Sequence, residues 1–305
     1  MDGGTTKNQG FSHRSQVDQD GSRWSVLEFL ATRFPRDPLA IWRDRILAGE
    51  VSINEQRAAP DGRLQPGQWV AWNRPPWVEP EVPLCTAVLY EDEDLLAAAK
   101  PSGLPTLPGG GEFLEHTLLN VVRGRNPEAS PMHRLGRGTS GLVLFAKSAL
   151  ARRVIPALFR TQQTHKVYRA LCAGRPEEDT FRIESPIGKV PHEVLGAIHG
   201  AHPEGRASLS LVRVLEKRSG CSLLEVEIPT GRPHQIRIHL AFAGYPLVGD
   251  PLFGLGGTPI PGTHALPGDL GYLLHAIRLD LPHPRTGEPL QLFCQPPPLL
   301  RQSLY

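Results

Sequence analysis

Sulfur is scarce in this chain of 305 residues, with only four cysteines and two methionines. Cys85, Cys172, Cys221 and Cys294 lie far apart and form no C-x-x-C pair. The simple reading of that spacing is a reduced, cytoplasmic protein with no structural metal. No apolar run reaches the roughly 18 residues that a membrane helix needs. The start, MDGGTTKNQGFSHRSQVDQDG, is polar and does not read as a signal peptide. Residues 1–21 read instead as a disordered tail. Net charge is small as well, at +2.

The charge that is present is segregated. From Arg123 to Arg175 there are eleven Lys or Arg against one acid, Glu128. A positive stretch of this kind suits a polyanion. At its centre lies PMHRLGRGTSGLVLFAKS, residues 131–148, which puts His133, Arg134, Arg137, Thr139 and three glycines ahead of an apolar run. Gly136–Gly141 spells G-x-G-x-x-G. A dinucleotide loop needs a strand before it and a helix after it. Here Pro127 and Pro131 come before, and LVLFA, which follows, reads as a strand. A plain turn between strands explains the glycines but not the flanking HR and Lys147.

HRLGRGTSGLVLFAK resembles the HRLDxxTSGLLxxAK motif of the RluA-type pseudouridine synthases. Three further stretches are similar to motifs of that family, in the family's order. They are DLLAAAKPSGLPTLPG (residues 94–109), HKVYRALCAG (165–174) and LLEVEIPTGRPHQIRIHLAFAGYPLVGDPLFG (223–254). The final LHAIRLDLPHPRTGEP also matches the family's ending. The resemblance covers about residues 80–295. It implies an α+β domain on a mixed, largely antiparallel sheet that isomerises uridine in structured RNA, rRNA or tRNA, with no cofactor. It implies that Tyr168 holds the base, since an extruded base needs a π surface. It also places the family's nucleophilic Asp at Gly136, where no carboxylate exists, so either a substitute acid acts or the chain binds RNA without modifying it. Glu115 is the first candidate for that substitute.

Along the chain, residues 22–73 read as helix, helix, strand, turn and strand, which resembles an S4 RNA-binding module. Arg33, Arg36, Arg43 and Arg45 would meet phosphates there. The alternative is a small α/β cap with solvated arginines. Ile41, Trp42, Ile46 and Leu47 are expected on one side of the second helix. Residues 74–83, with four prolines, read as a stiff linker, and residues 84–305 as the catalytic-type domain. In 107–125 a glycine loop feeds a helix, either as a phosphate loop or as a hinge. Glu112 and Glu115 would sit at that helix's start, where its dipole favours acids. His192, His199 and His202 lack metal spacing and read as loop residues.

The TGRPHQIRIHL stretch reads as a turn into a helix, with Thr230 near its N-cap. Arg232, His234 and Gln235 are expected to bind RNA together with His133, Arg134, Arg137 and Thr139. The resemblance implies that Arg237 pairs with the catalytic Asp. Without that Asp, Arg237 would need another anion. Asp250 is expected in local hydrogen bonding. A monomer is expected.

Overall fold

The computed structural model describes residues 7–35, 37–109 and 111–303. It divides into two compact units. The first runs to Glu79 and takes in Val194–Gly196; the second holds the remainder from Pro80.

The first unit contains β1 (Phe11–Gln16), α1 (Val26–Arg33), α2 (Leu39–Leu47), β2 (Val51–Ile53), β3 (Gln56–Arg57) and β4 (Trp69–Arg74), with sheet order β1-β4-β2-β3. Ser25 starts α1 through a reciprocal box. Its Oγ accepts from the Glu28 amide, and the Glu28 carboxylate accepts from the Ser25 amide at 2.8 Å. Val26, Leu27 and Leu30 pack with Trp42, Ile46, Val51, Val70 and Trp72.

Three expectations are corrected here. On α2 only Trp42 and Ile46 face the core; Ile41 and Leu47 are 41% and 58% exposed. Residues 11–16 are not a disordered tail, because all six pair antiparallel with β4, from Phe11 opposite Arg74 to Gln16 opposite Trp69. A strand half-exposed to solvent needs few apolar residues, so its polar composition concealed it. His13 stacks on Trp72 at 5.1 Å, and Val17 is buried. Nor are residues 74–79 a free linker. Arg74 lies 3.5 Å over the Trp77 ring, the Asn8 amide donates to Trp77 O, and the Asn8 side chain donates to Glu79. Residues 1–6 and Arg36 lie outside the described residues.

The second unit runs β5 (Ala87–Glu91), β6 (Leu95–Lys100), α3 (Leu118–Arg123), β7 (Ser130–Pro131), β8 (Ser140–Ala146), α4 (Ala149–Arg160), β9 (His165–Ala173) and β10 (Thr180–Ile183). It continues with β11 (Ile187–His192), β12 (Gly196–Ala201), β13 (Ser210–Lys217), β14 (Cys221–Glu227), α5 (Gln235–Phe242), β15 (Leu274–Pro282) and β16 (Pro289–Phe293). The main sheet has the order β10-β13-β14-β9-β15-β8-β6-β5, with β16 on β15 and β7 on β8. Its described pairings are antiparallel except β8 with β15, which is parallel. The sheet is therefore mixed and largely antiparallel.

LVLFA and LLAAA read as unbroken apolar runs because their strands are covered on both faces. Leu95, Ala97, Leu142 and Leu144 meet Ala151 and Ile155 of α4 on one face. Leu96, Ala98, Val143 and Phe145 meet Leu118, Leu119 and Val122 of α3 on the other. Further along the sheet, Ile236 and Leu240 of α5 pack on Ala170, Leu224, Val226 and Leu274. Tyr168 packs against both the α3 and the α5 clusters, so it sits between these helices on their shared face.

The acids Asp92 and Asp94 of the turn before β6 fasten the chain's ending. Arg285 holds Asp94 at 2.6 and 2.8 Å, and His283 meets Asp92 at 2.9 Å. The Arg285 bond keeps the Asp94 carboxyl below its ordinary range. These carboxylates are structural.

Candidate active site

The HRLGRGTSG loop enters β8, and sheet register fixes what it faces. Gly141 lies beside Ala276 of β15, and Ala276 beside Tyr168 of β9. Loop and tyrosine are thus two strand spacings apart, about 10 Å. Gly141 must be glycine: its φ is +114°, and a Cβ would stand 2.3 Å from Ala276 O. A strand, not a helix, follows Gly141, which removes the dinucleotide reading.

Over the loop lies a residue that the motifs did not flag. A Cβ on Gly136 would stand 3.0 Å from Tyr272 Oη, and one on Gly138 would stand 2.9 Å from Tyr272 Cε1 and Cζ. The two glycines therefore make room for a phenol ring. Tyr272 is 3% exposed, and its Oη shares a hydrogen bond with Thr139 Oγ1 at 3.2 Å. The Arg237 guanidinium lies 4.1 Å over that ring. Two glycines spaced around one residue were a legible sign that something bulky fills the gap, but nothing in the sequence said which residue.

Arg237 is 2% exposed and fully compensated. Its Nε and one terminal nitrogen donate to the two Asp250 oxygens at 2.7 and 2.8 Å, and the other donates to Pro267 O. Asp250 also accepts from the Leu252 and Phe253 amides. Asp250 is the anion that Arg237 was expected to need.

Several residues expected to bind RNA also hold the scaffold. His133 Nε2 accepts from the Leu144 amide at 3.0 Å; burial, with help from Lys166, pushes its pKa down to about 4. Gln235 accepts from Thr230 Oγ1 and the Arg232 amide and donates to Leu209 O, which pins the entry to α5. Thr230 is therefore not the cap. That position is His234, held at φ 58° without a side-chain cap bond. Burial, then Arg237, His199 and Arg134, lower His234 to about 3. Arg45 lies between Trp42 and Trp72 at 4.6 and 4.5 Å and pairs with Asp37, so its cation is committed. Arg137 Nε donates to Gly268 O, and Arg232 donates to Ala207 O. Arg134, Arg33 and Arg43 are exposed.

Tyr168 is half-buried, and burial pushes its hydroxyl up to about 12, so it stays protonated. Glu112 and Glu115 do not open a helix, because α3 begins only at Leu118, capped by Thr117. Glu115 is exposed, and the atoms within 4 Å of a Gly136 Cβ belong to Tyr272 and Thr139. Gly110 lies outside the described residues, and a six-residue α3 offers no anion site for the glycines before it. His192 bonds Ala265 O, and His202 accepts from the Glu204 amide. Among the described residues no group of three or more His, Cys, Asp or Glu is placed to hold a metal, and no helix is long and apolar enough to cross a membrane.

Sequence reasoning also missed Lys100, hidden at the end of an apolar strand. It is 2% exposed, and its Nζ donates to Pro101 O, Leu104 O and Arg137 O at 2.9, 2.6 and 3.1 Å. It ties the glycine loop to the turn after β6. Burial pushes its pKa down to about 7.

Residues 94–242 match the family model described as RNA pseudouridylate synthase. An uncharacterised RNA pseudouridine synthase of Synechocystis is 44% identical over 90% of this chain and 95% of its own length. RNA pseudouridine synthase 5 of Arabidopsis thaliana is 37% identical over 96% and 95%. Ribosomal large subunit pseudouridine synthase D of Neisseria meningitidis is 32% identical over 87% and 72%. Among solved structures, human RNA pseudouridylate synthase domain containing 1 shares the fold. It has a TM-score of 0.59 and 24% identity, over 73% of this chain and 89% of that one. The ordered motifs, the mixed, largely antiparallel sheet, and these relatives agree: the chain belongs to the RluA-type RNA pseudouridine synthase family.

Proposed function

We propose that this protein isomerises uridine to pseudouridine in structured RNA, rRNA or tRNA, as a cytoplasmic monomer without cofactor. The observation that carries the reading is the register that puts Tyr168 in line with the end of the HRLGRGTSG loop, across β15. A half-buried aromatic with a protonated hydroxyl offers a surface for a flipped base. Arg134, an exposed residue of that loop, suits backbone phosphate. The first unit, with two helices ahead of its β2–β4 strands and exposed Arg33 and Arg43, supports an S4-like RNA-binding role.

A second reading is favoured by Gly136. If that position is where the family keeps its nucleophile, the chain is an RNA-binding protein that retained the fold and lost the chemistry. Total RNA labelled with 5-tritiated uridine in cells lacking the protein separates the two. Tritium release on adding the purified protein supports isomerisation. Salt-sensitive RNA retention with no release supports the second reading.

A further inference from the structure

Asp250, the carboxylate that meets Arg237 over the Tyr272 ring, is already engaged. Its side chain is 1% exposed and receives both arms of Arg237 together with two backbone amides. What stands in front of Gly136 is a pair of hydroxyls. Thr139 Oγ1 and Tyr272 Oη share one hydrogen bond, and either can be its donor. Two O–H groups joined by one bond leave one donor unspent. Gly136 has no side chain, and the place its Cβ would take is 3.0 Å from Tyr272 Oη. The phenol oxygen thus stands where a side chain of residue 136 would begin.

We infer that Tyr272 is a catalytic residue of the uridine isomerisation, the proton donor and acceptor whose hydroxyl takes the place of a side chain at position 136. The inference rests on the isomerase reading above. Tyr272 gives its proton to a uracil carbonyl oxygen while the N1–C1′ bond breaks, with the bonding pair staying on N1. The resulting phenolate is stabilised by the Arg237 cation over its ring at 4.1 Å and by the Thr139 hydroxyl. After the uracil turns, its C5=C6 pair forms the C5–C1′ bond. The phenolate then takes the C5 hydrogen as a proton, which restores the double bond and the phenol. The proton on the carbonyl moves to N1 through solvent. Protons and electrons balance, and no co-reactant is required.

Because Arg237 keeps Asp250 in this arrangement, its charge does not collapse onto the phenolate as a tight ion pair. It acts as a fixed field over the ring while the oxygen remains free to exchange a proton. Gly138 serves the same arrangement, since a Cβ there would strike Cε1 and Cζ and displace the ring.

The test uses the full chain and the tritiated total RNA described above. Tyr272→Phe keeps the ring under Arg237 and removes only the hydroxyl. It should lose tritium release by about 100-fold or more, the usual scale of a lost acid–base group, while RNA retention on a filter is unchanged. Thr139→Val should slow release and Thr139→Ser should preserve it. Wild-type release from Tyr272→Phe overturns the inference and leaves the isomerase reading intact. Loss of RNA retention in proportion to activity assigns Tyr272 a structural role and also overturns it. No release from the wild-type protein sinks the isomerase reading itself, and this inference with it.

Discussion

Arg237 and Asp250 form a two-armed ion pair in which the side chains are 2% and 1% exposed. A pair so enclosed is costly to break from one side, because the survivor keeps its charge without a partner. Asp250 also gathers the Leu252 and Phe253 amides, so one carboxylate organises both the α5 cation and the turn that follows it.

Asp250→Ala should therefore destabilise the protein by about 3–5 kcal/mol. Urea denaturation followed by circular dichroism measures it. A loss under about 1 kcal/mol would place the pair among ordinary surface ion pairs and contradict its structural weight.

Gly141→Ala should prevent stable folding, whereas Gly220→Ala should cost about 1 kcal/mol. Both positions have positive φ, +114° and +74°, but only Gly141 would drive a Cβ into Ala276 backbone. Comparing soluble yield and melting temperature of the two variants checks this. Equal behaviour would mean that β8 and β15 do not approach as described.

Gly136→Ala should cost about 1–3 kcal/mol in the wild-type background, as overpacking does, and clearly less with Tyr272→Phe. The nearest atom to the added methyl is Tyr272 Oη, which the second change deletes. A double-mutant cycle in urea reads the coupling, expected at about 0.5–3 kcal/mol. Strict additivity would separate the two residues.

Lys100 predicts a pH dependence. Its folded value is about 7 against 10.5 for an ordinary lysine, because burial disfavours its charged form. Between those values the unfolded chain holds more protons than the native one, so this side chain's contribution to stability rises with pH across that window. The urea midpoint of the wild-type protein should gain on that of Lys100→Met as pH climbs from 7 toward 10. A constant difference over that range would show that the three carbonyls hold the ammonium at its ordinary value.

Arg134 and His133 are neighbours with opposite fates, one exposed and one accepting from the Leu144 amide. Arg134→Ala should weaken RNA retention and reduce its salt dependence by about one released ion with little change in melting temperature. His133→Ala should lower the melting temperature first. The reverse pattern would put the histidine, not the arginine, against RNA.

How much of this was legible follows from range along the chain. The apolar runs LVLFA and LLAAA belong to strands covered on both faces. Four motifs in order gave the sheet and the place of Tyr168. Partnerships were not legible. Nothing local ties Arg237 to Asp250 or Gly136 to Tyr272, and Lys100 donates to a carbonyl 37 residues away. Residue types suggested that His133, Gln235 and Arg45 meet RNA, and they did not show the partner within the chain that folding brings to each. Strand β1 was hidden because pairing along a sheet margin is carried by backbone, which composition does not reveal.

That same strand makes the polar opening of the chain a cover. Phe11–Gln16 occupies the outer side of β4, the strand that also joins β2, so trimming the chain at its first apolar helix would uncover a row of backbone donors and acceptors beside Val70 and Trp72. A margin of that sort recruits other chains. The front of this protein thus exchanges an apolar margin for a polar one.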